Sequence, residues 1–272
     1  MSNTFLKWAG GKKWFITGYN SFLPTNYNRY IEPFLGGGSV FFYMQSVQPH
    51  ESILSDVNEE LINTYIAVRD QVDSVYYNLR IHARNHSRDY YYRIRNRNTR
   101  TLVTSAARMI YLNKTCFNGI YRVNSQGRFN VPFGTREQIS FDRQLLVKSS
   151  LDLTNASLLC QDFEQTIDMA EDGDFLFCDP PYAVINEDDR FVGYTADIFS
   201  WKDQIRLANA LSRARQRGVK IVMTNVEHPT VRRLYEEREG FCLDTITRKC
   251  IISGNTKGRK SYKELIVRAN IE

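Results

Sequence analysis

The sequence predicts an α/β fold in which a basic, mostly helical segment is inserted between two parts of one domain. Three observations carry this expectation. Short apolar runs that read as buried strands alternate with stretches of helical spacing. The first of these strands leads directly into a glycine turn and a helix. Positive charge is concentrated: between Arg80 and Arg136, twelve Lys and Arg residues stand against the single acid Asp89, a net +11 in a chain of net +6, so the remainder carries −5. At 272 residues, with 42% hydrophobic and 13% aromatic content, the chain can bury a sizeable core, which excludes disorder as its main state. Mean hydropathy is −0.43, and no apolar run approaches the roughly 18 residues of a membrane helix. The N-terminal segment lacks an apolar stretch followed by a small-residue cleavage site, so a cytoplasmic location is expected. Five cysteines, an odd number without a Cys-x-x-Cys pair, predict reduced thiols rather than a disulfide framework or a structural zinc.

Taken in order, residues 30–34 read as a short buried strand, followed by Leu35-Gly36-Gly37-Gly38 and a helix that Ser39 is placed to cap. Residues 52–55 form a second strand ending at Asp56. Asn58 then caps a helix whose apolar positions Leu61, Ile62, Tyr65, Ile66 and Val68 have helical spacing. Residues 70–112 read as helical and basic, and residues 123–129 as an exposed hairpin around a polar, Gly-containing turn. Later come a buried strand over 174–178, an amphipathic helix over 201–217 stopped by Gly218, and a strand over 219–224. Residues 241–252 and 264–271 are placed to close the sheet as an antiparallel pair. There is no internal repeat.

Two segments carry chemistry. Phe34 to Ser39 sets small residues where a strand turns into a helix, which lets a ligand approach backbone N–H groups; a tight turn without a ligand is the competing reading. A dinucleotide fingerprint requires glycine where Phe41 stands, and no phosphate-loop motif occurs. Asp56, eighteen residues beyond Gly38, is placed to accept hydrogen bonds from ribose hydroxyls, so an adenosine-type ligand fits. Asp179-Pro180-Pro181-Tyr182 follows a strand directly and emerges where open α/β sheets bind ligands. A carboxylate and a proline carbonyl both accept hydrogen bonds from an exocyclic amine, and Tyr182 offers a flat face to a base taken out of its stack. The competing reading is a strand terminator. Arginines interleaved with Tyr90, Tyr91, Tyr92, Tyr111, Phe117, Tyr121, Phe129 and Phe133 suit a polyanion carrying bases, against the plainer reading of a solvated helix face over core aromatics. The histidine pair His82 and His86 has helical metal-ligand spacing, yet among arginines it is expected on a phosphate-facing surface.

Phe34–Ser39 followed by Asp179-Pro180-Pro181-Tyr182 resembles the DNA amino-methyltransferases that use S-adenosyl-L-methionine, and the order of cofactor motif, basic insertion and catalytic tetrapeptide is similar to their alpha class. Residues 5–12, 117–124 and 129–134 further resemble the Dam family of DNA N6-adenine methyltransferases, so the resemblance spans nearly the whole chain. It implies a Rossmann-like sheet, with residues 1–56 and 145–272 catalytic and residues 57–144 forming an inserted, mostly helical, hairpin-bearing DNA-recognition domain. It also implies S-adenosyl-L-methionine, released as S-adenosyl-L-homocysteine, as the cofactor, with no metal. Trp8, Lys12, Phe34, Gly36, Gly38, Ser39, Asp56, Asp162, Phe163 and Asp179 are its expected contacts, Lys12 meeting the methionine carboxylate. Asp179, Pro180 and Tyr182 carry over as catalytic. Asn118, Arg122, Asn124, Asn130 and Pro132 carry over to the DNA-reading hairpin, Arg136 is a further expected DNA contact, and Arg93 and Arg95 hold phosphates.

The expected activity is methylation of adenine N6 in double-stranded DNA at GATC, with base flipping, by a bacterial or phage-encoded protein associated with the nucleoid and without an obligate protein partner. Relatives carry an Arg-Tyr-Lys-like run where this chain has Thr135-Arg136-Glu137, so the same chemistry at another short site stands as an alternative. A Ser-Pro-Pro-Tyr pattern would point to cytosine N4, and the absence of a Pro-Cys dipeptide speaks against cytosine-carbon chemistry. A non-catalytic DNA binder would be expected to have lost Lys12, Asp56 or Asp179, all of which are present. Residues 255–259 resemble a family segment with a DNA or cofactor role, against a plain basic turn.

Overall fold

Short apolar runs bounded by turns set the inner strands of this chain. A computed structural model describes residues 4–124, 126–182, 199–249 and 261–271. In chain order its elements are α1 (Lys13–Gly18), β1 (Tyr30–Glu32), α2 (Ser39–Val47), β2 (Ser52–Asp56), α3 (Glu59–Arg84), α4 (Arg88–Arg95), α5 (Leu102–Thr115), α6 (Arg143–Asp152), β3 (Ala156–Cys160), α7 (Phe163–Asp168), β4 (Phe175–Cys178), α8 (Trp201–Gln216), β5 (Lys220–Val226), α9 (Pro229–Glu236), β6 (Cys242–Lys249) and β7 (Ser261–Ala269). The seven strands lie in the order β3-β2-β1-β4-β5-β7-β6. This is the expected α/β architecture, closed by the expected antiparallel pair of β6 and β7. Among the described residues no helix is long and apolar enough to cross a membrane.

The chain divides into two compact units. One comprises Met1–Lys13, Leu35–His50 and Leu54–Cys160; the other comprises Trp14–Phe34, Glu51–Ile53 and Gln161–Glu272. In the second unit β4 pairs in parallel with β1 and with β5. All four β4 residues are buried, the signature of a strand covered on both faces. β7 runs antiparallel to β5, with Thr224 opposite Ile266 and Val226 opposite Glu264. The entry to β4 is held by Asp174, 1% exposed, whose carboxylate accepts from the Arg29 N–H at 3.1 Å, from Arg29 Nη2 at 2.6 Å and from the Glu171 N–H at 2.9 Å. α8 opens on a reciprocal cap between Ser200 and Asp203 and ends before Gly218 at φ +87°, where a Cβ would collide with Asp172.

In the first unit α3 starts as the sequence predicts, with Asn58 Oδ1 accepting from the Leu61 N–H at 3.0 Å. α2, by contrast, is preceded by Gly38 in the left-handed region at φ +65°, and Ser39 is its first helical residue rather than its cap. The hairpin is present as a bridge between Val123 and Phe129, continued by one between Cys116 and Phe133. The histidine pair is not phosphate-facing. His82 is buried, its Nδ1 2.7 Å from the Tyr90 hydroxyl and its ring stacked on Tyr111. His86 Nε2 donates to the Arg136 carbonyl at 2.9 Å, which leaves Nδ1 to accept from the Tyr111 hydroxyl at 2.9 Å. The spacing that suggested a surface site places both rings against the tyrosines of α4 and α5. Neither α1, α6, β3, α7 nor α9 is legible from periodicity alone, because each is short and its apolar positions are few.

Two outcomes are expected. Asp174→Ala leaves Arg29 and two backbone amides without their acceptor and should cost about 2–4 kcal/mol in urea unfolding. Burial, followed by the nearby Arg97, depresses the His82 imidazole from 6.5 to about 4. Between those values the unfolded chain binds a proton that the folded chain refuses, so stability falls as pH drops through that window. Between about pH 7 and about pH 5 the wild type should lose about 1–2 kcal/mol more than His82→Gln, measured by urea unfolding at both pH values.

Candidate active site

The glycine turn belongs to the first unit and is built around an indole. Leu35 N–H donates to the Ser55 carbonyl at 2.9 Å, which ties the turn to the end of β2. Gly36, at φ +47°, donates its N–H to Asp56 Oδ2 at 3.1 Å, and its carbonyl accepts from the Tyr65 hydroxyl at 3.0 Å. A Cβ on Gly36 would stand 2.8 Å from Trp8 Cδ1, and one on Gly37 would stand 3.1 Å from Trp8 Cβ. The glycines are therefore required by the close approach of Trp8 as well as by backbone conformation. Asp56 Oδ1 accepts from the Asn58 N–H at 3.0 Å. Burial pushes the Asp56 carboxyl up, opposed by the hydrogen bonds from the Asn58, Gly36 and Val57 amides. Trp8 stacks on Tyr121 at 4.9 Å and 21°, and the Tyr121 hydroxyl donates to Glu60 Oε2 at 2.9 Å while Arg108 donates to Glu60 Oε1 at 2.9 Å. An open cleft of about 290 Å³ is lined here by Lys7, Trp8, Gly11, Gly37 and Ser39, among others. Lys12 is buried, its Nζ donating to the Gly10 carbonyl at 3.1 Å. An aromatic face, a backbone cradle without Cβ atoms and a carboxylate at a strand end are the donor set an adenosine-type cofactor with a charged tail requires.

The tetrapeptide belongs to the second unit. Cys178 is buried at the end of β4 opposite Met223 of β5, so the next residues, Asp179 and Thr224, emerge together; Thr224 Oγ1 donates to Asp179 Oδ1 at 2.7 Å. Pro180 is buried, and the Tyr182 hydroxyl donates to Glu264 Oε2 in a short hydrogen bond. Burial, with Asp179 and Glu264 close by, raises the Tyr182 phenol well above its ordinary range, so it stays protonated. In the same unit Phe34 stacks on Phe163 at 5.3 Å and 24°, with Phe199 edge-on to Phe34 at 5.7 Å. The Arg206 guanidinium lies 4.9 Å over the Phe163 ring and donates to Asp162 Oδ1 at 2.8 Å, while Asp162 Oδ1 also accepts from the Glu164 N–H at the start of α7.

The hairpin residues differ in how far they are engaged by the protein itself. Asn118 is exposed at φ +58°, and Pro132 and Arg136 are exposed. Arg122 Nε donates to Asn130 Oδ1 at 2.9 Å, which links two predicted reading residues across the hairpin. Asn124 Oδ1 accepts from the Gln126 and Arg128 amides at 3.0 and 2.9 Å, an Asx turn that shapes the loop. Arg93 is exposed and lies 4.9 Å over the Tyr90 ring. Arg95 is half-buried, 4.8 Å over Tyr92, with Nη1 donating to the Val131 carbonyl at 3.3 Å. Residues 255–259 lie outside the described residues.

Sequence reasoning missed Thr224, Glu264, Tyr65 and Tyr121. A signal existed for the first two: Thr224 ends an apolar strand, and Glu264 is an acid at the mouth of Leu265-Ile266-Val267. Tyr65 looks like an ordinary core aromatic, and Tyr121 reads as one of the aromatics of the basic segment rather than as the stacking partner of Trp8.

The comparisons with known proteins agree with this geometry. The model of the D12 class N6 adenine-specific DNA methyltransferase family matches residues 8–249. A Type II methyltransferase of Lactococcus lactis subsp. cremoris, M1.LlaDCHI, is 36% identical over 97% of this chain and 94% of its own length. M.MjaIII, a Type II methyltransferase of Methanocaldococcus jannaschii, is 37% identical over 94% of each chain. A DNA adenine methylase of Vibrio cholerae serotype O1 is 31% identical over 96% of this chain and 94% of its own. The chain belongs to the D12 class of N6 adenine-specific DNA methyltransferases, whose methyl donor is S-adenosyl-L-methionine.

Proposed function

We propose that this enzyme methylates adenine N6 within GATC in duplex DNA, on a base turned out of the helix. The observation that carries the reading is the Asp179 carboxylate at the end of a doubly covered strand, held by Thr224 at 2.7 Å, with Pro180 and Tyr182 directly after it. S-adenosyl-L-methionine, when bound, supplies an electrophilic sulfonium methyl and leaves as S-adenosyl-L-homocysteine. Asp179 and the Pro180 carbonyl accept the two N6 hydrogens, which orients the nitrogen lone pair toward that methyl. Tyr182 stacks on the extruded base, since N6 inside a stacked duplex is out of reach. The cofactor is held by Trp8, Lys12, Gly36, Gly38, Ser39 and Asp56, and by Phe34, Asp162 and Phe163 around its adenine. The N6–methyl bond would form as the methyl–sulfur bond breaks with its electron pair going to sulfur, and the proton lost from N6 would pass to solvent water, with Asp179 and the Pro180 carbonyl holding the amine throughout.

Residues 57–144 are assigned to target recognition and residues 1–56 with 145–272 to catalysis. Asn118, Arg122, Asn124, Asn130, Pro132 and Arg136 address the recognition site, and Arg93 and Arg95 the phosphates. Support comes from the net +11 between Arg80 and Arg136 and from the exposure of Asn118, Arg122 and Pro132. The exposed Glu137, directly after Arg136, favours a second reading, the same chemistry at a different short site, because its carboxylate repels a phosphate placed beside it.

Two duplexes of equal composition, one with GATC and one with those bases scrambled, separate the readings when incubated with labelled S-adenosyl-L-methionine and analysed as nucleosides. N6-methyladenine confined to the GATC duplex is expected, and equal label in both rejects the assigned site. Asp179→Ala should lower single-turnover methylation at least 100-fold with DNA binding retained, since it removes the hydrogen bond that orients the nucleophile. Arg122→Ala should weaken binding to the specific duplex by about 1–3 kcal/mol, relative to a scrambled one, in fluorescence anisotropy at fixed salt. Equal weakening on both would make Arg122 a phosphate contact.

A further inference from the structure

β5 and β7 are hydrogen-bonded neighbours, and each reaches one end of the Asp179–Tyr182 tetrapeptide. Thr224 of β5 donates to Asp179 Oδ1 at 2.7 Å; Glu264 of β7, two strand positions away in register, accepts from the Tyr182 hydroxyl. Glu264 is 2% exposed. A carboxylate held in a sheet interior costs several kcal/mol of desolvation unless hydrogen bonds offset it, so an acid there is an expensive way merely to fill space. What it does is fix the phenol. The Tyr182 hydroxyl donating to a carboxylate oxygen makes a directional hydrogen bond that few other acceptors at a strand could match. With its hydroxyl pinned, the long axis of the Tyr182 ring is held between the backbone and the Glu264 carboxylate, which places the ring as a stacking surface for a single base.

We propose that Glu264 is a positioning residue for methyl transfer, its buried carboxylate setting the Tyr182 ring while Thr224 sets Asp179. The proposal rests on the reading that Asp179 and Tyr182 hold the target adenine. Glu264 touches no substrate atom; it acts through Tyr182.

The test is single-turnover methylation of a GATC duplex by wild type, Glu264→Gln, Glu264→Ala, Tyr182→Phe, the Glu264→Gln/Tyr182→Phe double variant and Asp179→Ala. S-adenosyl-L-homocysteine affinity and thermal midpoint are measured on each. Glu264→Gln retains an acceptor oxygen and nearly the same volume, so it should slow methylation roughly 10-fold; Glu264→Ala should slow it roughly 100-fold, both without change in S-adenosyl-L-homocysteine affinity. Tyr182→Phe keeps the ring and loses the anchor. Its defect should not add to that of Glu264→Gln in the double variant, because both variants act on the one Tyr182–Glu264 hydrogen bond. Wild-type rates for Glu264→Gln and Tyr182→Phe would overturn the proposal, as would multiplicative defects in the double variant. Loss of S-adenosyl-L-homocysteine binding in proportion to rate would also overturn it, as a general structural failure. If Glu264→Ala does not fold, the two near-isosteric variants decide. Asp179→Ala keeps the two failures apart: if it retains activity, the reading of the site fails; if it is inactive while the Glu264 variants are normal, only the inference about Glu264 fails.

Discussion

The burial of β4 on both faces is the constraint from which the catalytic geometry follows. A strand whose four residues are all buried cannot shift register without driving its apolar side chains out of place, since a slip of one residue exchanges its faces. Its pairing with β5 then decides that Asp179 emerges beside Thr224, within hydrogen-bonding distance. The position of the carboxylate is thus set by apolar packing several residues away, and the hydroxyl of Thr224 sets only its last torsion.

Buried or half-buried acids recur at strand and turn junctions of this chain, each with a separate mechanical duty. Asp56 closes the glycine turn by accepting from Gly36 and caps the approach to α3 through Asn58. Asp174 ties the start of β4 to Arg29, and Glu264 holds Tyr182. In each case a carboxylate gathers donors that would otherwise lie at an irregular point of the backbone or at the end of a flexible side chain. Asp56 is where duty and ligand binding coincide: the carboxylate assigned to the ribose is already engaged on the Gly36, Val57 and Asn58 amides, so its orientation exists before any ligand arrives and little is lost in ordering it.

The basic segment follows a different logic. Its arginines are not all outward. Arg108 is spent on Glu60 and on the carbonyls of Ile94 and Arg95, and Arg95 is half-buried against Tyr92. The tyrosines and histidines among them form the support: the Tyr91 hydroxyl donates to the Val131 carbonyl at 2.9 Å, and His86 donates to that of Arg136. The hairpin is therefore held at its base by Tyr91 of α4 and by His86 of the turn before it, while Arg122 and Asn130 engage each other near the loop. A recognition loop built this way keeps its side chains adaptable on a fixed base, which suits the reading of a short site.

The amino-acid sequence alone determined the alternation of strands and helices, the confinement of positive charge, the glycine turn with its acid at Asp56, and the tetrapeptide at Asp179, because each is a local pattern whose physical cause lies within a few residues. The cap at Asn58 and the stop at Gly218 were legible for the same reason. Tertiary structure alone decided that Trp8 fills the space beside Gly36, that His82 and His86 face tyrosines, and that Tyr182 meets Glu264, 82 residues further along the chain. Such pairs depend on which strands and helices come to lie side by side, and that choice is made by the summed burial of many apolar side chains, a quantity that no single residue or short spacing records.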